Sequence, residues 1–472
     1  MSDVVVLGAG LVGLQTAMLL AEDGHRVAVL ERDPTPPPLR IDRAWSDWSR
    51  PGVRQFGYAH FLMARWRAEA DRHLPAITAA LDELGALRAN VFENHPLRRG
   101  RLRDGDEQFE ILTARRPVIE LAVARTADAT PGVTVCRGVA AKGVVGTTDA
   151  NGALLVTGVS TEGGIIGADL IVDCGGRQSS MPRWIREAGG PEVVETREDV
   201  GFRYYSRHFR SRDGRLPAGW GATAAPHDSL TVLTLPADNG TWSVVFTTSS
   251  EDRELRALKD TAVWDRVSRC FPRLRPWIDA EPLEDVKVMG ALEDRHRAYV
   301  VHGRPLVTGM VPVGDSWTCT NPSLGRGVST GLLHALALRT SLRAVAPSAP
   351  GALALRFAEE TASTVEPIIE ATTSIDHHRI NELRSDRASM RYVSDDPRWL
   401  LSRALFAAAG KDDDALRAAI SIVHLLASAQ EALSDPDFAE RVIELGADAV
   451  HRPPAGPSRA DLLTTIGYAS AA

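Results

Sequence analysis

The sequence predicts an α/β fold, α+β over the whole chain, with a Rossmann-like domain, a mixed-sheet second domain and a C-terminal helical region. Three observations carry this. Residues 3–32 read as strand, glycine turn, helix and strand. Residues 198–250 have the alternation of extended chain around Asp238-Asn239-Gly240. After residue 345 the chain is rich in alanine and leucine and helical in character.

The first element is the apolar run Val4-Val5-Val6-Leu7, suited to a strand buried on both faces. Gly8, Gly10 and Gly13 follow in G-x-G-x-x-G spacing; Leu14, Met18 and Leu19 mark the apolar face of a helix that Gly24 ends, and residues 26–30 form a second strand. Gly8 permits the tight turn, Gly10 lets backbone approach a pyrophosphate, and Gly13 lets the helix pack closely on the strand. Phosphates are favoured at the helix N-terminus by its unpaired N–H groups and its dipole. Glu31 follows Gly8 by 23 positions, at the end of the second strand, where a carboxylate accepts from a ribose hydroxyl pair. Arg32 beside it is a further candidate cofactor contact. A glycine turn serving only close packing is the plainer reading. The strand before it, the helix after it and the acid at this distance favour a dinucleotide, and Glu31 disfavours a 2′-phosphate, which leaves NAD or FAD.

Residues 34–38 (PTPPP) leave the sheet as a stiff loop. Residues 44–86 are helical in character, broken at Pro51-Gly52, with Arg54, Gln55 and His60 as polar groups near the expected cofactor. Arg115-Arg116-Pro117 starts a helix, since proline belongs in a first turn, and a basic side chain there reaches a phosphate or adenine near the glycine turn. Residues 133–136 read as a short strand. Residues 153–160 and 167–174 read as a hairpin-like pair ending in a second glycine site, Gly175-Gly176, where a ligand or another backbone passes close.

Asn239-Gly240, between the extended runs 229–235 and 241–248, is a hairpin signal, so a mostly antiparallel sheet is expected there. A segment carrying Trp264, Phe271, Leu274 and Trp277 caps it, and residues 285–289 return as a strand. The third glycine site is Gly314-Asp315 at a strand end, then Asn321-Pro322-Ser323-Leu324-Gly325-Arg326-Gly327 opening a long apolar helix. Asp315 can accept from a sugar-type hydroxyl, and residues 322–327 present N–H groups where developing negative charge is stabilised. In Asp376-His377-His378, adjacent histidines on a helix diverge, so exposed polar residues are expected there rather than a metal.

The 472 residues suffice for two or three domains. A formal net charge of -7 opposes broad affinity for nucleic acid or anionic membrane. Cysteines 136, 174, 270 and 319 show no C-x-x-C pair and no metal-ligand spacing, which points to a reducing compartment. No apolar run approaches the ~20 residues of a membrane span. With a strand starting at residue 3 there is no room for a signal peptide, and a cytoplasmic location is expected.

Taken together, the three glycine sites resemble the flavoprotein monooxygenase superfamily that includes p-hydroxybenzoate hydroxylase and the flavin-dependent halogenases, over residues 1–345. The resemblance implies FAD, with Gly8, Gly10, Gly13 and Glu31 on its ADP half. It places the R-P-x-x-E helix start, Arg116 to Glu120, on the phosphate side, and Asp315 on the ribityl chain. The N-P-x-x-G-x-G loop, here Asn321, Pro322, Gly325 and Gly327, lies against the isoalloxazine ring. At the second site aromatic hydroxylases carry A-D-G-x-x-S; here Gly175 stands where their aspartate does, and Asp173-Cys174-Gly175-Gly176 is closer to the D-C-S-G of tryptophan halogenases. That makes a separate flavin reductase an alternative to direct reduction by NADH or NADPH. The halogenase W-x-W-x-I-P stretch is missing, and the nearest candidate, around Trp220, lacks the second tryptophan.

The implied organisation is an FAD-binding domain in two parts, 1–186 and 287–345, a substrate-binding β-sheet domain at 187–286 and the C-terminal helices at 346–472. The implied function is monooxygenation, with transfer of oxygen from a flavin C4a-hydroperoxide to an apolar or aromatic small molecule in secondary metabolism. Molecular oxygen and the substrate would be the partners. Arg203, Tyr205 and Trp220, with Tyr204 and His208, are candidate pocket residues, and no catalytic acid or base is visible. The rivals are an FAD-dependent dehydrogenase or reductase, a non-redox FAD-containing cyclase on the same fold, and a non-catalytic FAD-binding regulator.

Overall fold

The computed structural model describes residues 1–149, 152–447 and 455–468. Its centre is a five-stranded sheet in the order Met310–Pro312, Leu170–Asp173, Asp3–Leu7, Arg26–Glu31, Val133–Arg137, in which every pairing is parallel. The valine run takes the middle position because it has no polar face to offer water. Val4 and Val6 pack with helices Leu11–Glu22, Arg116–Ala129 and Gly327–Ala344, while Val5 and Leu7 pack on the other side with Ile171, Met310 and Leu154. Burying each such side chain contributes about 1.5–3 kcal/mol.

The pairing around the second glycine site differs from the expected hairpin. Leu154–Thr161 pairs antiparallel with Gly143–Thr148 and Gly164–Gly167, whereas Leu170–Asp173 lies parallel to Asp3–Leu7. The physical reason lies in Leu170-Ile171-Val172-Asp173 itself, where every residue is buried. A segment without a polar face belongs inside a covered sheet, so the turn at Glu162-Gly163 closes the hairpin instead.

The second sheet is antiparallel, ordered Ala224–Pro226, Thr231–Pro236, Thr241–Ser249, Phe202–Arg210, and Phe202–Arg210 also pairs with Glu281–Pro282 and Lys287–Gly290. Asn239 and Gly240 turn the hairpin between Thr231–Pro236 and Thr241–Ser249, both with positive φ. One face of this sheet meets helix Thr261–Arg269, with Trp264, Phe246 and Phe271 in contact, so the Trp264 segment does cap it.

The C-terminal region is helical, through Pro350–Thr364, Glu366–Arg387, Pro397–Ala409, Asp413–Val423 and Pro436–Gly446. Among the described residues no helix is long and apolar enough to cross a membrane. All four cysteines are free thiols.

Candidate functional site

One cavity of about 830 Å³ runs along the C-terminal edge of the parallel sheet and across to the antiparallel sheet. Gly8, Gly10, Gly13, Glu31, Arg32, Arg116, Gly175, Asp315, Pro322, Gly325 and Gly327 all line it. Three glycine turns far apart in sequence thus meet because Asp3–Leu7, Leu170–Asp173 and Met310–Pro312 are neighbouring parallel strands, each ending beside the next.

The first turn tolerates no side chain at Gly8 or Gly13. Gly8 has φ +101°, and a Cβ on Gly13 would stand 2.0 Å from the Gly8 carbonyl oxygen. Glu31 braces this turn: Oε2 accepts from the Ala9 amide at 3.0 Å and from Arg50 Nη2 at 3.0 Å, and Oε1 accepts from the Asp33 amide at 2.9 Å. Three of the roughly four lone-pair sites of a carboxylate are therefore in use. Arg50 also donates to the Ala9 carbonyl at 3.1 Å and pairs with Glu120 at 3.4 Å, and Glu120 pairs with Arg116 at 2.6 Å. This alternation of buried charges leaves none uncompensated, as burial requires. The pattern of residues 44–86 marked Arg50 in no way, because its partners are distant in sequence. Arg32 lies over Gly52, its Nη2 3.3 Å from the place a Cβ would occupy. Arg115 is turned away from the cavity into a buried ion pair with Asp238 at 2.7 Å.

At the second turn, Asp173 accepts from the Gly175 amide at 2.9 Å and from the Ser179 hydroxyl at 2.5 Å. Asp315, on the turn Gly314–Ser316, is half-buried and has no hydrogen-bond partner among the described residues. Burial pushes its carboxyl up, with Arg177 and Arg116 opposing. The turn is fixed by the Gly314 amide donating to His334 Nδ1 at 3.1 Å; burial pushes the His334 pKa down to about 3, so this imidazole is a neutral acceptor.

The loop at residues 321–327 is held from two sides. The Asn321 amide donates to Asp294 at 2.6 Å, and the Tyr204 hydroxyl bonds the Asn321 side-chain oxygen. From the C-terminal helices, Asp376 bonds the Ser323 hydroxyl, and Arg326 donates to Thr372 Oγ1 at 2.9 Å. Asp376, His377 and His378 diverge on their helix, with His377 facing Glu198 at 2.9 Å and His378 facing Asp396 at 3.1 Å; Asp376, expected to be exposed, is instead buried and turned under this loop, where its partner Ser323 lies more than fifty residues away in sequence.

Beyond the loop the cavity opens on the antiparallel sheet. Tyr204, Ser206, Leu233, Val245 and Met289 share its face, as the pairings Tyr204↔Met289, Ser206↔Val245 and Leu233↔Val245 dictate. Arg203, Tyr205 and Trp220 do not line the cavity. Period-two alternation sends Arg203 and Tyr205 to the opposite face, where Tyr205 joins Trp220 and Trp264 in the second core. His208 pairs with Glu284 at 2.5 Å and is likewise outside. Arg54, Gln55 and His60 do line the cavity; burial, and then Arg116, hold the His60 pKa well below its ordinary value.

His424 is a wall residue without a sequence signal, since it ends the distant helix Asp413–Val423. Its Nδ1 accepts from the Ala64 amide at 3.2 Å, which places the ring proton on Nε2, and burial lowers its pKa to about 4.

The sequence model of a family of FAD-dependent oxidoreductases matches residues 3–341. The chain belongs to this FAD-dependent oxidoreductase family. It is 29% identical over 394 residues to Protein Rv3254 of Mycobacterium tuberculosis (strain ATCC 25618 / H37Rv), covering 77% of this chain and 78% of that protein. Among solved structures it is similar to PqsL of Pseudomonas aeruginosa, a probable FAD-dependent monooxygenase, at TM-score 0.57 and 16% identity, over 81% of this chain and 96% of that one. It is similar also to p-nitrophenol 4-monooxygenase PnpA of Pseudomonas putida DLL-E4, at TM-score 0.56 and 17% identity, over 90% and 99%. At such identities the likeness is one of fold. The residues present fit FAD: Asp315 offers the cavity a carboxylate without a hydrogen-bond partner among the described residues, and Gly10 and Gly327 have open space where a Cβ would stand.

Proposed function

We propose that the protein is an FAD-dependent monooxygenase of apolar or aromatic small molecules, in the setting of secondary metabolism. The observation that carries this reading is the continuity of one cavity from the glycine turn, past the loop 321–327, to an apolar sheet face. A cofactor and a small molecule side by side are what such a space accommodates.

Bound FAD supplies the electron transfer and the oxygen chemistry. The chain's own residues bind and orient. The N-terminus of Leu11–Glu22 faces the phosphates, the Glu31–Arg50–Glu120–Arg116 network fixes the adenosine end, and Asp315 accepts from the ribityl chain. The loop 321–327, opening helix Gly327–Ala344, sets amides and a helix dipole against negative charge on the ring. Tyr204, Leu233, Val245, Met289 and Val423 keep water from the substrate side. On that wall His424 presents a neutral Nε2–H donor suited to a carbonyl or phenolic oxygen. NADH or NADPH is the electron source, directly or through a flavin reductase.

The test is to purify the full chain, record its flavin spectrum, reduce it anaerobically with NADH or NADPH, and admit ¹⁸O₂ with a panel of aromatic compounds. Label in an organic product is the expected result. Turnover with oxidised flavin, or product formed without label, would replace the reading with a cyclase or a dehydrogenase.

A further inference from the structure

Beneath the loop 321–327 lies a buried carboxylate that FAD binding and substrate packing leave unused. Asp376, on helix Glu366–Arg387, is 1% exposed. Its Oδ1 bonds the Ser323 hydroxyl and its Oδ2 has no partner among the described residues. Ser323 itself lines the cavity, so this one hydroxyl touches both the buried acid and the space in front of the loop.

A serine hydroxyl carries a single proton. When Asp376 is ionised it can only accept, so that proton is turned inward and the cavity meets lone pairs. When Asp376 is protonated it donates to Ser323 Oγ, and the serine proton is free to point into the cavity. We propose that Asp376 is a positioning residue that holds a proton under the loop and so decides whether Ser323 presents a donor to the flavin ring. This rests on the placing of that ring against the loop 321–327.

The surroundings bring protonation of this carboxyl close to neutrality. The titratable and charged groups facing Asp376 are Arg326 on the loop, Asp294 on strand Glu293–Ala298 and Tyr204 on strand Phe202–Arg210. Burial raises the Asp376 pKa first, the Ser323 bond opposes, Asp294 repels and Arg326 attracts, and the net effect pushes the carboxyl up to about 7. Arg326 does not neutralise it fully, since its own hydrogen bonds go to Thr372 and the Ile422 carbonyl. Asp294 also keeps a buried oxygen without a partner among the described residues, which makes the pair of carboxylates costly to ionise together.

The consequence concerns reduction of the bound flavin. Two electrons with one proton leave an added negative charge on the ring, and a second proton taken up by the Asp376 carboxylate offsets it while turning the Ser323 donor outward. Proton uptake then accompanies reduction over the pH range between the Asp376 pKa beside the oxidised ring and its higher value beside the reduced ring.

The midpoint potential of FAD in the full chain, measured from pH 6 to pH 9 against reference dyes with xanthine and xanthine oxidase as reductant, tests this. Above pH 7 the wild-type potential is expected to fall more steeply by one extra proton per two electrons. That is tenfold in the reduction equilibrium per pH unit, or about 30 mV. Asp376→Asn, whose amide donates to Ser323 as the acid does, is expected to lose the break and keep the low-pH behaviour. Ser323→Ala is expected to lower the potential below pH 7, and Asp294→Asn to retain the break. A wild-type profile without a break, an unchanged break in Asp376→Asn, or a break lost in Asp294→Asn and kept in Asp376→Asn each overturn the proposal. If Ser323→Ala leaves the potential unchanged at every pH, the ring does not lie on this loop and the placing of the flavin fails with it. A Ser323→Ala effect without any pH break overturns only the role of Asp376. Should Asp376→Asn not retain FAD, the wild-type and Ser323→Ala profiles decide the matter.

Discussion

The two ends of the cavity are built by different means. At the glycine-turn end the wall includes main chain, supplied by three short turns that carry Gly8, Gly175 and Gly314 at adjacent strand ends. At the sheet end it is side chain, drawn singly from Tyr204, Ser206, Leu233, Val245, Met289 and His424. A nucleotide presents phosphates and sugar hydroxyls that backbone amides and a few carboxylates can grip, and such geometry demands particular residues at fixed spacing. An apolar molecule is gripped by shape, which many combinations of side chains provide. The first end should be intolerant of small changes, and the second should lose substrate without losing cofactor.

The largest effect is expected at Gly13. In Gly13→Ala the new methyl group would stand 2.0 Å from the Gly8 carbonyl oxygen, a main-chain atom that cannot move without opening the turn. Thermal unfolding should show a loss of about 3 kcal/mol or more, with flavin absent after purification. A variant that purifies yellow with an unchanged melting temperature would erase the contrast. Leu233→Trp probes the other end. Flavin retention should be unchanged while turnover falls about 100-fold, as for a misplaced substrate. Parallel loss of FAD would mean that the two ends are not separable. Tyr205→Phe, on the opposite face, is the matched control and should leave turnover unaltered.

The same contrast explains what the sequence disclosed. The eleven cofactor candidates share one cavity because each lay in a motif whose chemistry is local, from Gly8 to Gly327. Arg203 and Tyr205 went astray because a strand's alternation is visible in sequence but its phase is not, and the neighbouring Tyr204 took the inward face, while Trp220, in a turn outside any strand, packs into the second core. The hairpin expected of residues 153–174 failed for a related reason: which strand Leu170–Asp173 pairs with depends on a partner more than 160 residues away. Arg50, His424 and Asp376 were beyond reach, since nothing in their own stretches records the Glu31, Ala64 or Ser323 that they meet.

An intermediate effect is expected at Asp315, the one cavity carboxylate of the third turn without a partner. Asp315→Ala should weaken FAD by about 2 kcal/mol, close to thirtyfold, the worth of a hydrogen bond to a charged group. Fluorescence titration of FAD into the apoprotein checks it. Unchanged affinity would remove Asp315 from the cofactor end, whereas Asp315→Asn should recover part of the loss because an amide oxygen still accepts.

The smallest effect separates the two ends by acid rather than by ligand. Asp23, just beyond helix Leu11–Glu22, pairs with Arg339 at 2.6 Å and Arg343 at 2.7 Å on helix Gly327–Ala344, joining two helices of the cofactor end. Burial opposes ionisation of Asp23, but the hydrogen bonds from Arg339 and Arg343 outweigh it and hold the carboxyl far below its ordinary value. A depressed carboxyl contributes stability that is complete above the unfolded value, about 4, and is lost as pH falls through the folded value. Arg339 is nearly buried, so Arg339→Ala should cost about 1.5 kcal/mol at pH 7, between exposed and buried pairs. The wild-type and variant melting temperatures should approach each other only well below pH 4. A gap already closed at pH 5 would show that Asp23 is not held ionised by this pair.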